Sequence, residues 1–247
     1  MVAQRLLSIN PMALAAHDQK LDRIASALRA RRSGVRLRLD KGSVSHQVPM
    51  QTRPVERIDV SGLDQLLELD VEHQTCTVEP GITFERLVAA TLPHGLVPVV
   101  VPEFKGITVG GAISGCSLES TSFRHGGFHD SCLEYEVLTA TGERLVCTPD
   151  NEHALVFQMQ HGAFGTLGII AKVKFRLMPA QRFVHLSYER HVSLSAFLEA
   201  IVLHAADDTV DFIDGFLHGE GDFVLNLGRF VDAAPYSHRY DLFGPVY

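Results

Sequence analysis

Residues 103–127 read EFKGITVGGAISGCSLESTSFRHGG, with glycines at 106, 110, 111, 115, 126 and 127. Thr108, Ser114, Ser117, Ser120, Thr121 and Ser122 add short hydroxyl donors. A main chain free of bulky side chains can gather successive N–H groups round an anion, as a phosphate or diphosphate needs. Long loops without secondary structure are uncommon unless they serve a function, so this run is read as phosphate-binding. A second small-residue turn, Lys41-Gly42-Ser43-Val44-Ser45, follows a strand-like segment. Two separated anion-binding turns at strand ends fit a dinucleotide held in extended form.

The common nucleotide fingerprints are absent. G-x-G-x-x-G fails because Gly110 and Gly111 are adjacent, and Lys41-Gly42-Ser43 resembles only the tail of a P-loop. Gly162, Gly165 and Gly168 are read as a packing turn before a strand. His125 and His129 are four apart but lie in the glycine-rich run with no third ligand, so no metal site is expected. No G-x-S-x-G elbow occurs. Cys76, Cys116, Cys132 and Cys147 form no C-x-x-C pair, which points to a reducing compartment rather than a disulfide or zinc scaffold. Cys116 and Cys132 are read as small buried hydrophobes, and Phe104, Phe123 and Phe128 as core.

The elements that must hold this run follow from periodicity. Apolar residues at helical spacing predict a helix over 12–31. Alternation predicts strands over 35–39, 57–60, 66–71 and 74–79. Pro80-Gly81 breaks the last of these, Thr83 caps a helix that follows, and Gly95 ends it. A short buried strand is expected at 96–101, a hairpin from 132–139 and 144–147 about Thr141-Gly142, a short helix at 151–160 and a strand at 168–177. After Pro179 come strands at 182–191, 209–218 and 222–230, with a helix at 195–204.

The bulk numbers set outer limits. The 247 residues are 46% hydrophobic and 21% charged, ordinary for a globular chain. A net charge of -7 argues against a nucleic-acid partner. No stretch approaches the roughly 20 apolar residues of a membrane span, no signal peptide is read at the start, and a cytoplasmic location is expected. Oligomeric state is left open.

Taken in order, the strings DVSGLDQLLELD, TCTVEPGITFERLVAATLPHGLVPVVVPE, ITVGGAISG, LESTSFRHG, EYEVLTATGERLVCTP and FGTLGII resemble the FAD-linked oxidases of the vanillyl-alcohol oxidase and p-cresol methylhydroxylase type, closest to the branch holding the delta-24 sterol reductases. The resemblance covers about residues 35–247. It implies an α+β fold: a two-lobed FAD-binding domain at 1–180, with lobes about 1–95 and 96–180, then the start of an α+β substrate domain at 181–247. By position, Lys41, Gly42, Ser43, Val44 and Ser45 would meet the diphosphate of a non-covalently held FAD. Thr108, Gly110, Gly111 and Gly115 would line the cofactor from the second lobe. Ser117, Glu119, Ser120, Ser122 and Gly126 would continue that wall, and Gly168 and Ile170 would touch the cofactor through backbone.

The family's activity implies hydride transfer between a small organic substrate and flavin. The alternative is a non-catalytic FAD-binding protein or a truncated relative. In some members a histidine attaches to the flavin covalently; His46 lies near that place and is read as an ordinary turn residue. Ile107 stands where the family controls oxygen access, and its bulk implies a poor oxidase. Relatives draw much of their active site from a further domain, so no catalytic acid or base is named. A sterol-like, another apolar or a sugar-like substrate stays open.

Overall fold

A computed structural model describes residues 7–32, 34–41, 55–238 and 244, and Gly42, Ser43, Val44, Ser45 and His46 lie outside that set. In chain order the elements are β1 (Leu7–Ile9), α1 (Pro11–Arg29), β2 (Arg36–Asp40), β3 (Val55–Asp59), β4 (Leu66–Asp70), β5 (Thr75–Val78), α2 (Phe84–Thr91), β6 (Leu96–Pro98), α3 (Val109–Ser114) and α4 (Ser122–His125). There follow β7 (Cys132–Leu138), β8 (Arg144–Cys147), α5 (Ala154–Met159), β9 (Ile169–Pro179), β10 (Phe183–His191), α6 (Leu194–Ala205), β11 (Phe212–Gly219) and β12 (Asp222–Val231). Among the described residues, no helix is long and apolar enough to cross a membrane.

Seven strands form one sheet in the order β1-β4-β5-β9-β7-β8, with β6 pairing the far end of β9. The long strand β9 is its spine, because β5, β6 and β7 all pair with it antiparallel. The strands on either side of residue 95 therefore share this sheet, and the parallel pair β2–β3 stands apart from it. After Pro179, β10, β12 and β11 form a separate three-stranded antiparallel sheet.

Both faces of the large sheet are covered, so that each buries its apolar side chains. On one face, α1 lays Leu21, Ile24, Ala25 and Leu28 against Ile58, Leu63, Leu138, Ile169 and Ala171. Asn10 caps this helix by accepting the Ala13 N–H (3.0 Å), and Pro11 fits its first turn. On the other face Phe84 and Leu87 of α2 and Val109, Ala112 and Ile113 of α3 pack with Phe128, Tyr135, Val173 and Phe175. Between Ile170 and Lys172 the register slips, leaving Ala171 as the extra residue opposite β7. A one-residue slip moves side chains to the opposite face. It explains why Ile169 faces α1 while Val173 and Phe175, of the same parity, face α2 and α3.

Residues 103–127 are not the open loop expected. They fold into α3 and α4 with tight turns between, because Thr108 caps α3 and Ile113, Val109 and Ala112 bury one side of it. Phe128 is fully buried as expected, whereas Phe104 is 45% exposed.

Candidate functional site

Four segments that are distant in sequence converge on a cavity of about 540 Å³. Cofactor and ligand sites typically occupy about 300–1,000 Å³. The first wall is Leu39 and Lys41 at the end of β2, with Val60, Ser61 and Asp64 after β3. The second is the turn between β5 and α2, through Pro80, Gly81, Thr83 and Arg86. The third is the approach to and start of α3, with Gly106, Thr108, Gly110, Gly111 and Ser114. The fourth joins α5 to β9 and contributes Gln160, Gly165, Gly168, Ile169 and Ile170.

Glycine is required at several of these positions by close backbone approach. A Cβ on Gly110 would lie 2.9 Å from the Pro80 side chain, and one on Gly81 would lie 2.5 Å from the Leu63 carbonyl oxygen. Gly168 has φ +120° and a Cβ there would stand 2.8 Å from the Leu138 carbonyl oxygen. These are contacts that side-chain-bearing residues cannot make.

The row of free N–H groups read from the sequence is not present at the start of α3. Val109 donates to the Ile82 carbonyl (3.0 Å) and Gly110 to the Pro80 carbonyl (2.8 Å). Gly111 donates to Thr108 Oγ1 at 3.2 Å. The glycines here bring the helix start against the 80–82 turn and leave a smooth surface on the cavity. The charges that could meet an anion are instead side chains, Lys41 and Arg86. Arg86 Nη1 pairs with Asp64 Oδ2 at 2.6 Å, with both side chains partly exposed at the rim. Volume, a smooth backbone surface, Lys41 and an arginine whose charge Asp64 partly offsets together fit a phosphate-bearing cofactor.

Of the residues expected at a site, Lys41, Thr108, Gly110, Gly111, Gly168 and Ile170 line this cavity. Gly115, Ser117, Glu119, Ser120, Ser122 and Gly126 do not. The chain turns away at Cys116, which has φ +52°. Beyond it the Ser117 carbonyl accepts the Phe128 N–H (3.0 Å), and the Ser120 carbonyl accepts the Ile213 N–H of β11 (2.9 Å). Thr121 donates to the Val99 carbonyl at 2.6 Å. Glu119 accepts the Glu103 N–H at 2.8 Å. Burial, with the Glu103 and Asp214 carboxylates nearby, holds the Glu119 carboxyl above its usual range. Glu119 and Ser120 border a smaller slot of about 170 Å³ with Phe212 and Phe230.

Sequence reading missed Asp64, Arg86 and Gln160, and took Pro80-Gly81 only as a strand breaker and Thr83 only as a cap. Thr83 is a cap, accepting the Arg86 N–H at 3.3 Å. Arg86, three residues later, had no local signal to set it apart from other exposed helix cations. Burial pushes the thiols of Cys132 and Cys76 up to about 12 each, consistent with small core residues rather than nucleophiles. Among the described residues no group of three potential metal ligands comes together.

The pattern of the FAD binding domain family matches residues 13–148. Among curated proteins, a Delta(24)-sterol reductase homolog of Caenorhabditis elegans is 29% identical over 207 residues, covering 79% of this chain and 39% of that protein. The Delta(24)-sterol reductase of Homo sapiens is 30% identical over 192 residues, covering 78% and 37%. Cytokinin dehydrogenase 6 of Oryza sativa subsp. japonica is 32% identical over 161 residues, covering 63% and 29%. The chain thus spans less than two fifths of the length of these relatives.

Proposed function

Because the chain belongs to the FAD binding domain family, we propose that it holds FAD in the four-walled cavity and acts as an FAD-dependent oxidoreductase or its flavin-binding portion. In that role a hydride passes between a small organic substrate and the flavin. The observation that carries this reading is the convergence of Lys41, Arg86 and the glycine-bearing turns at 81, 110–111 and 168 on one cavity.

FAD, when bound, supplies the electron-carrying ring that the side chains lack. The residues of the chain bind and orient it. Lys41 and Arg86 offer cations to the diphosphate, Arg86 with a planar donor fork suited to phosphate oxygens. Gly42, Ser43, Val44 and Ser45 follow Lys41 in the chain and are proposed to complete that contact. Gly110, Gly111 and Gly168 let the cofactor lie against main chain, and Ile169 and Ile170 offer apolar surface that excludes water. Residues 1–180 are proposed as the cofactor unit and 181–247 as part of a substrate unit. The separate pairing of β10, β11 and β12 supports that division.

The names of the relatives, a sterol reductase and a cytokinin dehydrogenase, support a small organic substrate, an apolar one included. The free cysteines support a reducing, cytoplasmic setting.

The test is a visible absorption spectrum of the purified chain, repeated on the supernatant after denaturation. Flavin bands that move into the supernatant are the expected result. Colour left in the pellet overturns non-covalent binding and points to His46. A colourless chain that takes up no added FAD overturns the reading.

A further inference from the structure

Glu79 is a fully buried carboxylate one residue before the Pro80–Gly81 wall of the cavity. A buried charge is costly unless it is paired and hydrogen-bonded. Here every partner is present. Oε1 lies 2.8 Å from His17 Nδ1, and Lys20 Nζ reaches Oε1 and Oε2 at 2.9 and 2.8 Å. Oε2 also accepts the Gln65 N–H at 2.9 Å. His17 is itself buried, and its Nε2 stands 3.6 Å from Glu136 Oε2 of β7.

The groups facing His17 come from several elements. Asp18 and Lys20 share its helix, Glu79 follows β5, Glu136 belongs to β7, Arg144 to β8 and Lys172 to β9. Lys172 Nζ lies 3.1 Å from Glu136 Oε2. Arg144 lies 3.9 Å from Glu136 Oε1 and is tied back to Asp18 and Asp22 of α1 at 3.0 and 2.8 Å.

The main chain carries this clamp to the cavity. Glu79 N–H donates to the Gln65 carbonyl (2.8 Å) and Gly81 N–H to the Leu63 carbonyl (2.7 Å). The carbonyls of Pro80 and Ile82 receive the first two N–H groups of α3. Pro80 and Gly81 have no polar side chain of their own to hold them, so Glu79 is the side-chain anchor nearest the wall.

We infer that Glu79 is a positioning residue for the cofactor cavity: gripped by His17 and Lys20 of α1, it fixes the Pro80–Gly81 wall and, through that wall, the start of α3. The inference rests on the reading of this cavity as the FAD site. His17 serves Glu79 and Glu136 together only when both ring nitrogens carry protons. Burial alone would lower its pKa, but the nearby Glu136 carboxylate and the hydrogen bond to Glu79 outweigh burial and raise it above 6.5. Burial would raise the Glu79 pKa, and the hydrogen bonds from His17 and Lys20 bring it below 4.5 instead. A raised histidine pKa means that the positive charge drawing both carboxylates to the ring is complete below its ordinary value and is lost as pH rises through the raised one, when the neutral ring keeps a single N–H for the two. FAD affinity therefore weakens on the alkaline side of the His17 titration.

The test is a fluorescence titration of the full 247-residue chain with FAD, run on wild type, Glu79→Gln and His17→Gln. It spans about pH 6 to about pH 10, to either side of the histidine titration. Glu79→Gln is expected to raise the Kd about tenfold at neutral pH. His17→Gln keeps an amide donor for Glu79, so it raises Kd less but removes the alkaline step. A cluster that only stabilised the fold would shift Tm with pH and leave Kd flat. Wild-type affinity in Glu79→Gln, or an alkaline step that persists in His17→Gln, overturns the inference and leaves the cavity reading standing. Failure of the wild-type chain to take up FAD overturns both. If Glu79→Gln does not fold, the His17→Gln profile decides.

Discussion

The two halves of the glycine-rich run have similar composition and opposite surroundings. Residues 106–114 face the cavity with glycine surface, Thr108 and Ser114. Residues 117–126 are instead tied to other parts of the chain. There Thr121 donates to Val99, and the Ser120 carbonyl accepts from Ile213. Arg124 reaches Asp208 Oδ1 (2.8 Å) and the carbonyls of Asp207 (3.1 Å) and Val210 (3.2 Å). The first half is a cofactor wall by our reading, and the second is a joint to the three-stranded unit. Small residues announce that something comes close; they do not say whether it is a ligand or another part of the chain.

Substitutions in the two halves should separate these roles. Gly110→Val places a branched side chain where even a Cβ stands 2.9 Å from Pro80. It should raise the Kd for FAD about a hundredfold and cost about 1–3 kcal/mol of stability, read by titration and urea unfolding. An unchanged Kd would remove α3 from the cofactor wall. Arg86→Ala, at the rim, should raise Kd about tenfold, with a weaker salt dependence than wild type.

Arg124→Ala acts in the other half. It should cost about 1–3 kcal/mol locally and leave the Kd for FAD unchanged. Hydrogen exchange at 207–213 would report the loosened joint, and a large loss of FAD affinity would erase the distinction between the halves.

The finest test is acid. Burial would raise the pKa of Glu136, but the nearby His17 ring and the charge of Lys172 bring it to about 2. Glu79 is likewise held below 4.5. Depressed carboxylates give stability that is complete above 4.5 and is lost as pH falls toward about 2. FAD release at acid pH should therefore precede loss of far-UV circular dichroism.

Much of the fold was legible. The helix at 12–31 appears as α1 over 11–29, Thr83 caps α2, Gly95 ends the turn after it with φ +71°, and Thr141-Gly142 joins β7 to β8. Each depends on residues within a few positions of one another. The helices inside 103–127 were missed because α3 is only six residues long and contains two glycines, so its propensity is poor. Burial of Val109, Ala112 and Ile113 holds it in place of propensity. The slip at Ala171 was equally invisible, since alternation in β9 reads the same with or without an extra residue opposite β7.

The sequence by itself determined the ordered strings that mark an FAD binding domain, the capped helices, the strand periods and the glycine positions that tolerate positive φ. These are local properties, set by dihedral preference and side-chain period. Tertiary structure alone decided which N–H groups of the glycine-rich run are already bonded, that Arg86 and Asp64 meet at the cavity rim, and that Glu79 is gripped from α1. His17 and Glu79 are 62 positions apart, and Gly110 meets Pro80 across an intervening helix and strand. Such pairs exist only once the sheet has brought the segments together, because a hydrogen bond or ion pair depends on distance in space and has no period along the chain.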